Sequence, residues 1–318
     1  MEPIHIQALT YRYGPRRGIE NVSLSVPDGT LFGFLGPNGA GKTTTIRVLL
    51  GFLRSTDGRA TIFGRECWKQ TREIKQDVGY VPGDLRLWPW LDGNSALRLF
   101  GSVRGRDLLP VGRRLAEMFE LDLSVKTRRM SKGMRQKLGL ILAMAHEPRL
   151  LILDEPSSGL DPLMQDRLLE YLRNAAAGGR TVFFSSHTLS EVERLCDRLA
   201  IVREGKIVFD GLLGELRRQA GHVVTIRWKP GVTPPENGLE TLRVIERSPE
   251  HWSAHFGGPM ESLLAWLANK PIDDISIARP DLETLFRQYY QKASAGAGDE
   301  KGEDPVRRTG PPEGGGRA

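Results

Sequence analysis

The chain of 318 residues contains only two cysteines, Cys67 and Cys196, which lie far apart in the sequence. They give no disulfide framework, and we expect both to be small buried residues in a reducing compartment. No apolar run approaches the roughly 18 residues that a membrane-spanning helix needs, since the longest candidate is residues 138–145. Residues 1–9 carry no basic stretch followed by an apolar one, so no signal peptide is evident.

Aromatic residues are also few, at 7%, and the net charge is only +6. Arginines do concentrate between residues 104 and 129, and a basic surface could attract nucleic acid or anionic lipid. Aromatics are not interleaved with these arginines, as they are in a platform that stacks nucleic-acid bases. We therefore interpret the arginines as a solvated helical face, with attraction to a membrane as the second interpretation, and expect no nucleic-acid partner.

A glycine-rich loop is the most specific feature of the sequence. An apolar, strand-like run at residues 31–35 precedes it and a helical run at residues 44–50 follows it. The loop fits the pattern G-x-x-x-x-G-K-T and consists of Gly36, Pro37, Asn38, Gly39, Ala40, Gly41, Lys42 and Thr43, followed by Thr44. In this setting backbone N–H groups and the helix N-terminus converge on phosphate oxygens. Lys42 would add a charge at the β- and γ-phosphates, and the Thr43 hydroxyl could ligate Mg²⁺.

Two carboxylates end an apolar run at residues 150–155. The four aliphatic residues of this run suit a strand buried on both faces of a parallel sheet, and ligands bind at the carboxyl ends of such strands. Asp154 is therefore placed to hold Mg²⁺, and Glu155 to polarise the attacking water as general base. A solvated turn is the alternative, and the preceding aliphatic residues argue against it.

A second β-rich run, residues 181–186, ends at His187. A lone histidine after a strand is more often structural than catalytic. Here a helix-length crossover, residues 162–177, separates it from the acidic run, which predicts that His187 lies at the same sheet edge as Glu155. His187 could contact the γ-phosphate or orient the water.

A capped helix begins just upstream of the acidic run and extends to residue 145. Ser131 suits the N-cap position, and the Gly133 backbone could approach a phosphate closely. The pattern alone is weak, because capped helices with a nearby glycine are common. The position of this pattern just upstream of the acidic run makes it more informative. Its first residues are Ser131, Lys132, Gly133 and Met134.

Together these motifs resemble the ATP-binding subunit of ABC transporters, particularly the branch that drives drug and antibiotic export. The resemblance covers residues 3–212 and implies an α/β fold, a P-loop ABC-type ATPase domain with a helical subdomain. It identifies residues 130–134 as the signature and His187 as the switch histidine. Tyr13 matches the aromatic that stacks on adenine, with Tyr11 a weaker candidate and an ordinary strand tyrosine the alternative. The dimer-contact loop is Ser158, Gly159, Leu160 and Asp161.

The resemblance implies a mechanism that requires two chains. Two ATPase domains, most simply a homodimer, would enclose ATP and Mg²⁺ head to tail, and Ser131 and Gly133 of one chain would face the γ-phosphate held by the other. Catalysis would be mostly electrostatic positioning. A separate multi-span membrane permease would form the pore, which places this chain peripherally at the cytoplasmic face of the cell membrane.

Two departures from the family pattern matter. The signature usually has glycine and glutamine where this chain has Lys132 and Met134; Lys132 could add charge near the partner's phosphates or simply be solvated. The family often carries glutamine at the position of Gly83, where its amide reaches Mg²⁺ and the water. Asp84 is a weaker substitute for that glutamine. Either ATP hydrolysis runs without the amide contact, or hydrolysis is coupled less tightly to transport in this chain.

The chain divides into three parts. Residues 1–212 form the ATPase domain, with a helical subdomain at about 84–147 and a hairpin around Glu204 and Gly205 near its end. Residues 213–292 change character. Strand-like runs at 223–228 and 275–277 and helical runs at 260–268 and 281–290 predict a small α+β appendage, whose closing helix at 281–290 would support the dimer or regulate it. Residues 293–318 are rich in Gly, Glu, Pro and Arg and predict a disordered tail. Within the helical subdomain, Trp88 and Trp90 could pack in the core or form an exposed contact site near the permease groove.

Two functions compete with an energising subunit for an exporter. A soluble ABC-type ATPase acting on ribosomes or nucleic acid usually carries two cassettes or a long coiled coil before the signature. This chain has one cassette and no sustained heptads between Thr43 and Ser131. A degenerate cassette that binds ATP without turnover is the other alternative, and Glu155 and His187 argue against it.

Overall fold

The computed structural model describes residues 2–219, 221–232, 234–235 and 238–278. Three β-sheets organise this part of the chain. The strands are β1 Ile4–Tyr13, β2 Arg16–Val26, β3 Leu31–Leu35, β4 Asp57–Ile62, β5 Arg65–Glu66, β6 Val78–Val81, β7 Leu150–Asp154, β8 Thr181–Ser186, β9 Arg198–Arg203, β10 Lys206–Leu212, β11 His222–Trp228, β12 Leu242–Arg247, β13 His251–Phe256 and β14 Ile272–Ala278. The helices are α1 Lys42–Leu49, α2 Thr71–Asp77, α3 Gly93–Arg104, α4 Leu109–Met118, α5 Lys132–Met144, α6 Pro162–Ala177, α7 Leu189–Leu195, α8 Leu213–Gln219 and α9 Met260–Leu267.

The six-stranded sheet positions the site. Its order is β10-β9-β3-β8-β7-β6, and every neighbouring pair is parallel except the β9–β10 hairpin. Strand β3 lies between β8 and β9, and β7 lies beside β8, so the carboxyl ends of β3, β7 and β8 meet at one edge. The predicted strands, the crossover helix at 162–177 and the hairpin around Glu204 and Gly205 are confirmed.

Apolar side chains pack on both faces of this sheet. One core lies between it and the four-stranded antiparallel sheet β2-β1-β4-β5, with α1 contributing Ile46 and Leu49. The other core joins α5, α6 and α7 to the opposite face, and Leu138, Leu168 and Val192 are fully buried in it. Strands β7 and β8 are therefore buried along their whole length, as the continuous apolar runs predict.

The segment between β6 and β7 is helical, as predicted. It contains α3, α4, α5 and one turn of 3₁₀ helix, Thr127–Arg129. Asp92 caps α3 by accepting the Ser95 N–H at 2.8 Å. Helix α5 lies so close to β6 that a Cβ added to Gly79 would stand 2.2 Å from the Ala143 carbonyl oxygen. The absence of a side chain at position 79 thus fixes how the helical segment sits on the sheet.

The C-terminal part has its own antiparallel sheet, in the order β12-β13-β11-β14, with α9 against one face. Trp228 and Trp252 meet edge to face at 5.1 Å in its core, with Leu263 of α9 beside them. The structure confirms the strands predicted at 223–228 and 275–277 and the helix predicted at 260–268. Their bounds differ from the predicted ones by at most three residues. The predicted closing helix at 281–290 and the tail lie outside the described residues.

Helix α8 begins at residue 213, where the sequence placed the start of the appendage. Its Leu213 and Leu216 are buried in the core that contains α5 and α6. The structure thus packs this helix on the ATPase sheet rather than in the core of the appendage.

Among the residues that the structure describes, no helix is both long and apolar enough to cross a membrane.

Candidate nucleotide site

The phosphate loop joins the end of β3 to the start of α1. Gly39 and Gly41 have φ of 81° and 109°, a left-handed backbone that residues with a Cβ rarely adopt. Gly36 is required for a different reason, because a Cβ there would lie 2.4 Å from the Val202 carbonyl oxygen. The predicted loop therefore has the backbone that its glycines permit. The β9–β10 turn supports it, since the Gly205 N–H donates to the Ala40 carbonyl at 2.9 Å.

Lys42 is only 5% exposed and its ammonium group lies inside this loop. Nζ donates to the carbonyl oxygens of Gly36 at 2.6 Å and Pro37 at 3.1 Å. It also lies 3.3 Å from Oε1 of Glu155. The loop thus holds a buried positive charge beside the amides that would contact a phosphate, which is the electrostatic requirement for binding a polyanion.

Asp154 is 1% exposed and two hydroxyl groups hold its carboxylate. Thr43 Oγ1 donates to Oδ2 at 2.7 Å, and Ser185 Oγ donates to Oδ1 at 2.5 Å. A carboxylate and a hydroxyl in contact are oxygen donors of the kind that Mg²⁺ prefers, with phosphates and water completing its shell. Within the described ranges no group of three or more His, Cys, Asp and Glu could hold a metal. The oxygen donors of Thr43 and Asp154 thus fit Mg²⁺ by their chemistry.

Glu155, the residue after Asp154, has a strained backbone, and its carboxylate contacts both Lys42 and His187. Its φ of 50° lies in the left-handed region, which costs a non-glycine residue of order 1–3 kcal/mol. Its N–H donates to the Ser185 carbonyl at 3.1 Å, which fixes it to β8. Oε2 lies 3.3 Å from Nδ1 of His187, and Oε1 faces Lys42. The structure therefore brings Glu155 and His187 together at one sheet edge, as the sequence predicted, and places Lys42 beside the same carboxylate.

Tyr13 borders the same cavity, which has a volume of about 290 Å³. It is 41% exposed, and its phenol oxygen is 3.4 Å from Oγ1 of Thr44. Tyr11 meets its ring edge-on at 4.9 Å but does not line the cavity. Of the two candidates, Tyr13 is thus the one with an accessible face. The lining residues are Tyr13, Gly18, Pro37, Asn38, Gly39, Gly41, Lys42, Thr43, Thr44 and Glu155.

The signature residues lie elsewhere on the chain. Ser131 caps α5 by accepting the Met134 N–H at 3.1 Å, as predicted. Lys132 Nζ donates to Oγ of Ser158 at 3.1 Å, so its charge is directed to the neighbouring loop of its own chain. A Cβ on Gly133 would lie 2.6 Å from the carbonyl oxygen of Gly159. The signature and the predicted dimer-contact loop are therefore packed together, away from the cavity at the phosphate loop.

Within that loop, two residues have roles in the fold of this chain. Leu160 is buried in the core, and Asp161 caps α6 by accepting the Met164 N–H at 3.0 Å. Gly159 has a φ of 80° and lies against the stem of Lys132. These contacts fix the shape of the loop, while its role at a dimer interface remains a prediction.

Gly83 lies beside the acidic residue of β7. A Cβ added there would stand 3.5 Å from both the carbonyl oxygen and Oδ2 of Asp154, which is ordinary contact distance. Asp84, the suggested substitute, is largely exposed and pairs with Arg86 at 3.0 Å. The structure therefore directs Asp84 to an arginine, and the position next to Asp154 carries no side chain.

Sequence reasoning missed several polar residues that build the site. Ser185 holds Asp154, and Glu191 accepts hydrogen bonds from Ser157 at 2.6 Å and Ser186 at 2.7 Å. Gly205 supports the phosphate loop from the hairpin turn. A signal existed for the serines of β8, because two polar residues end a strand that is otherwise apolar. Nothing in the sequence indicates that Glu191 reaches Ser157.

Comparison with known proteins identifies the family. The family described as "ABC transporter" matches residues 19–158. The linearmycin resistance ATP-binding protein LnrL of Bacillus subtilis (strain 168) is 32% identical over 292 residues, covering 86% of this chain and 94% of the relative. The daunorubicin resistance ATP-binding protein DrrA3 of Streptomyces coeruleorubidus is 34% identical, covering 89% and 94%.

A solved structure described as an ATP-binding subunit of an ABC transporter shares the fold. Its TM-score is 0.65 at 32% identity, and the match covers 68% of this chain and 92% of that chain. This chain belongs to the ATP-binding subunits of ABC transporters, and it binds and hydrolyses ATP.

Proposed function

We propose that this chain powers a separate transmembrane permease that exports a drug, an antibiotic or another amphipathic compound. ABC ATPases work with transmembrane partners. The observation that carries the export direction is that LnrL and DrrA3, named for resistance to linearmycin and daunorubicin, align along most of both chains. The alignments cover 86% and 89% of this chain, so they extend into the appendage as well as the ATPase domain.

Each site residue would have its own role in binding or hydrolysing one ATP molecule. Tyr13 would stack on adenine, and residues 36–44 with Lys42 would hold the phosphates. Thr43 and Asp154 would hold Mg²⁺, which neutralises phosphate charge when bound. Glu155 would polarise the attacking water, and His187, 3.3 Å from its carboxylate, would orient the water or contact the γ-phosphate.

A homodimer would complete the site. The residues lining the cavity of one chain do not include its own signature, whose Ser131 is exposed at the start of α5. In a head-to-tail pair, Ser131 and Gly133 of one copy would face the phosphates held by the other. The α5 N-terminus would then direct backbone N–H groups at the γ-phosphate, where the helix dipole favours negative charge.

The permease would dock where the helical segment meets the sheet. An apolar cavity of about 280 Å³ lies there, with Phe52, Tyr80, Leu87 and Phe100 in its wall. Phe52 is 51% exposed. The surface suits an amphipathic cytoplasmic helix of the permease, which would place this chain at the cytoplasmic face of the membrane.

Trp88 and Trp90 extend this surface. They are 55% and 64% exposed, and their ring centroids lie 6.1 Å apart in a stacked arrangement. Of the two alternatives, the pair is therefore exposed and does not pack in the core. Thr127 holds the loop in place, because its hydroxyl donates to the Trp88 carbonyl at 2.5 Å. Two large aromatic side chains on a held loop are typical anchors of a protein interface.

An affinity purification tests the proposal. Glu155→Gln is expected to abolish turnover and trap the ATP-bound dimer, so the variant is purified from native membranes with ATP and its partners are identified by mass spectrometry. The double variant Glu155→Gln, Lys42→Ala, which should lose ATP affinity, is the matched control. Recovery of a multi-span membrane protein with both variants, and of the trapped dimer with the first variant only, is the expected result. Recovery of ribosomal or nucleic-acid proteins without a membrane partner would instead support the soluble ATPase.

Export itself is tested with the recovered permease. Cells that express both chains should tolerate amphipathic antibiotics better than cells that express the permease with the Glu155→Gln variant. Equal tolerance across a panel of such compounds would contradict drug export, while the ATPase assignment would stand.

A further inference from the structure

Glu191, in the first turn of α7, accepts hydrogen bonds from two loops of the ATP site. Ser157 Oγ donates to Oε1 at 2.6 Å, and Ser186 Oγ donates to Oε2 at 2.7 Å. Both serines are nearly fully buried, whereas the glutamate is half-buried. Each oxygen of one carboxylate is therefore occupied by a hydroxyl from a different segment of the chain.

The two serines lie next to the catalytic residues. Ser157 follows Glu155 by two positions, and its carbonyl accepts the N–H of Leu160 in the dimer-contact loop at 3.0 Å. Ser186 directly precedes His187, and its carbonyl accepts the N–H of Gly36, the first residue of the phosphate loop, at 3.3 Å. Glu191 thus connects the loop after the acidic strand to the loop that carries the histidine.

A structural role in α7 does not account for this arrangement. An acid in the first turn of a helix interacts favourably with the helix dipole, and that alone could explain a glutamate here. The dipole does not require two short, charge-assisted bonds to loops outside the helix. Within the described part of the chain Glu191 makes no ion pair, so its charge is satisfied by these hydroxyls.

We propose that Glu191 is a positioning residue for ATP hydrolysis. Its carboxylate fixes the distance between the loop of Glu155 and the loop of His187, whose side chains meet at 3.3 Å. Without it, Ser157 loses this acceptor and Ser186 keeps the Thr188 carbonyl at 3.1 Å. The side-chain connection between the two segments is then lost, and the β7–β8 pairing still joins their backbones. A misplacement of about 1 Å at a reacting centre can cost on the order of 100-fold in rate. ATP binding depends mainly on Lys42 and the loop amides, which Glu191 does not touch.

The same connection reaches the signature. Ser158, adjacent to Ser157, accepts the hydrogen bond from Lys132 at the start of α5. A bonded path therefore runs from the signature through Ser157 and Glu191 to Ser186 and the phosphate loop of one chain. In a head-to-tail dimer, this path would join the two ATP sites, so removal of Glu191 should also reduce cooperativity in ATP.

The test uses the full chain with three single variants. We expect Glu191→Ala to lower kcat by about 10- to 100-fold, with the KM for ATP changed less than about two-fold and a lower Hill coefficient. Glu191→Gln keeps one acceptor oxygen and should lose less activity. Glu193→Ala is the matched control, because Glu193 lies in the same helix and pairs with Arg217 at 3.4 Å, in a partly exposed contact outside the ATP site; it should behave as the parent chain.

A double-mutant cycle separates positioning from general destabilisation. If Glu191 acts through Ser157, adding Ser157→Ala to Glu191→Ala should lower kcat little further. Ser157→Ala alone should reproduce the kcat loss and thus provides the test should Glu191→Ala fail to fold. The proposal is overturned by an unchanged kcat in Ser157→Ala and Glu191→Ala, or by a loss of ATP affinity that parallels the loss of kcat.

Discussion

Replacing Ser185 by alanine tests how the carboxylate of Asp154, the proposed Mg²⁺ ligand, is held. Ser185 Oγ donates to Oδ1 of Asp154 at 2.5 Å, and Thr43 donates to the other oxygen at 2.7 Å. Asp154 is 1% exposed, so water does not readily replace a lost donor. A hydrogen bond to a buried charged group contributes about 1.5–3 kcal/mol. We expect Ser185→Ala to lower the free energy of unfolding by about 2 kcal/mol near pH 7.

The same variant should weaken magnesium binding. Residues that orient a ligating carboxylate typically contribute 10- to 100-fold to metal affinity or activity. The Mg²⁺ concentration for half-maximal ATPase activity should therefore rise by about 10-fold or more, measured at saturating ATP. Chemical denaturation, followed by circular dichroism, gives the stability change in the same preparation.

Two comparisons make this result decisive. Ser185→Cys keeps the size and a weak donor and should lie between the parent and the alanine variant. Ser102→Ala removes an exposed hydroxyl bonded within α3 and should change neither quantity. If Ser185→Ala leaves both the unfolding free energy and the Mg²⁺ requirement unchanged, the inference that Ser185 holds Asp154 for the metal is wrong.

Three further predictions follow from other contacts. Gly83→Gln should raise kcat by about ten-fold, equivalent to about 1.4 kcal/mol, because a Cβ at position 83 has room beside Asp154 and the amide would supply the contact to Mg²⁺ and the water that the family pattern implies; steady-state ATPase kinetics checks it. Burial lowers the pKa of His146 to about 4, so the unfolded state binds the proton more tightly. The contribution of neutral His146 to the free energy of unfolding should be complete above about pH 6.5 and should fall by roughly 3 kcal/mol as the pH drops to 4. Gly79→Ala should cost about 1–3 kcal/mol of stability, because its Cβ meets the Ala143 carbonyl.

Matched variants accompany each of these. Gly83→Met has similar reach without an amide, and an equal gain in kcat would show that the amide is not responsible. His146→Gln should lose the pH slope between 6.5 and 4; a retained slope would assign it to other groups. Gly257→Ala has open space at its Cβ and should be close to neutral, so an equal loss there would refute the packing argument.

The sequence alone predicted the parts of the site that are formed by residues close together in the chain. The phosphate loop, the strand that ends in Asp154, the strand that precedes His187 and the Ser131 cap are each specified by residues close together in the sequence. Periodicity and capping chemistry act over such short ranges. The parallel order of the strands then followed from the helix-length crossover, which is why Glu155 and His187 were expected at one edge.

Contacts between distant segments could not be predicted in this way. Ser185 reaches Asp154, and Glu191 reaches Ser157, across 31 and 34 positions. Such pairs depend on strand register and on how α7 returns to the sheet, neither of which a single sequence shows. The exposure of Trp88 and Trp90 was equally undetermined, because an aromatic pair beside a proline suits a core as well as an interface.

The position of β3 has a consequence for how the chain folds as it is made. This strand begins at residue 31, yet both of its neighbours, β8 and β9, come from residues 181–186 and 198–203. At a synthesis rate of about 5–20 residues per second, the phosphate loop waits on the order of 10 to 30 s for its sheet. During that time Phe32 and Phe34 are without their strand partners. Strand β3 and the phosphate loop therefore depend on strands made much later, and the nucleotide can stabilise the fold only after those strands have emerged.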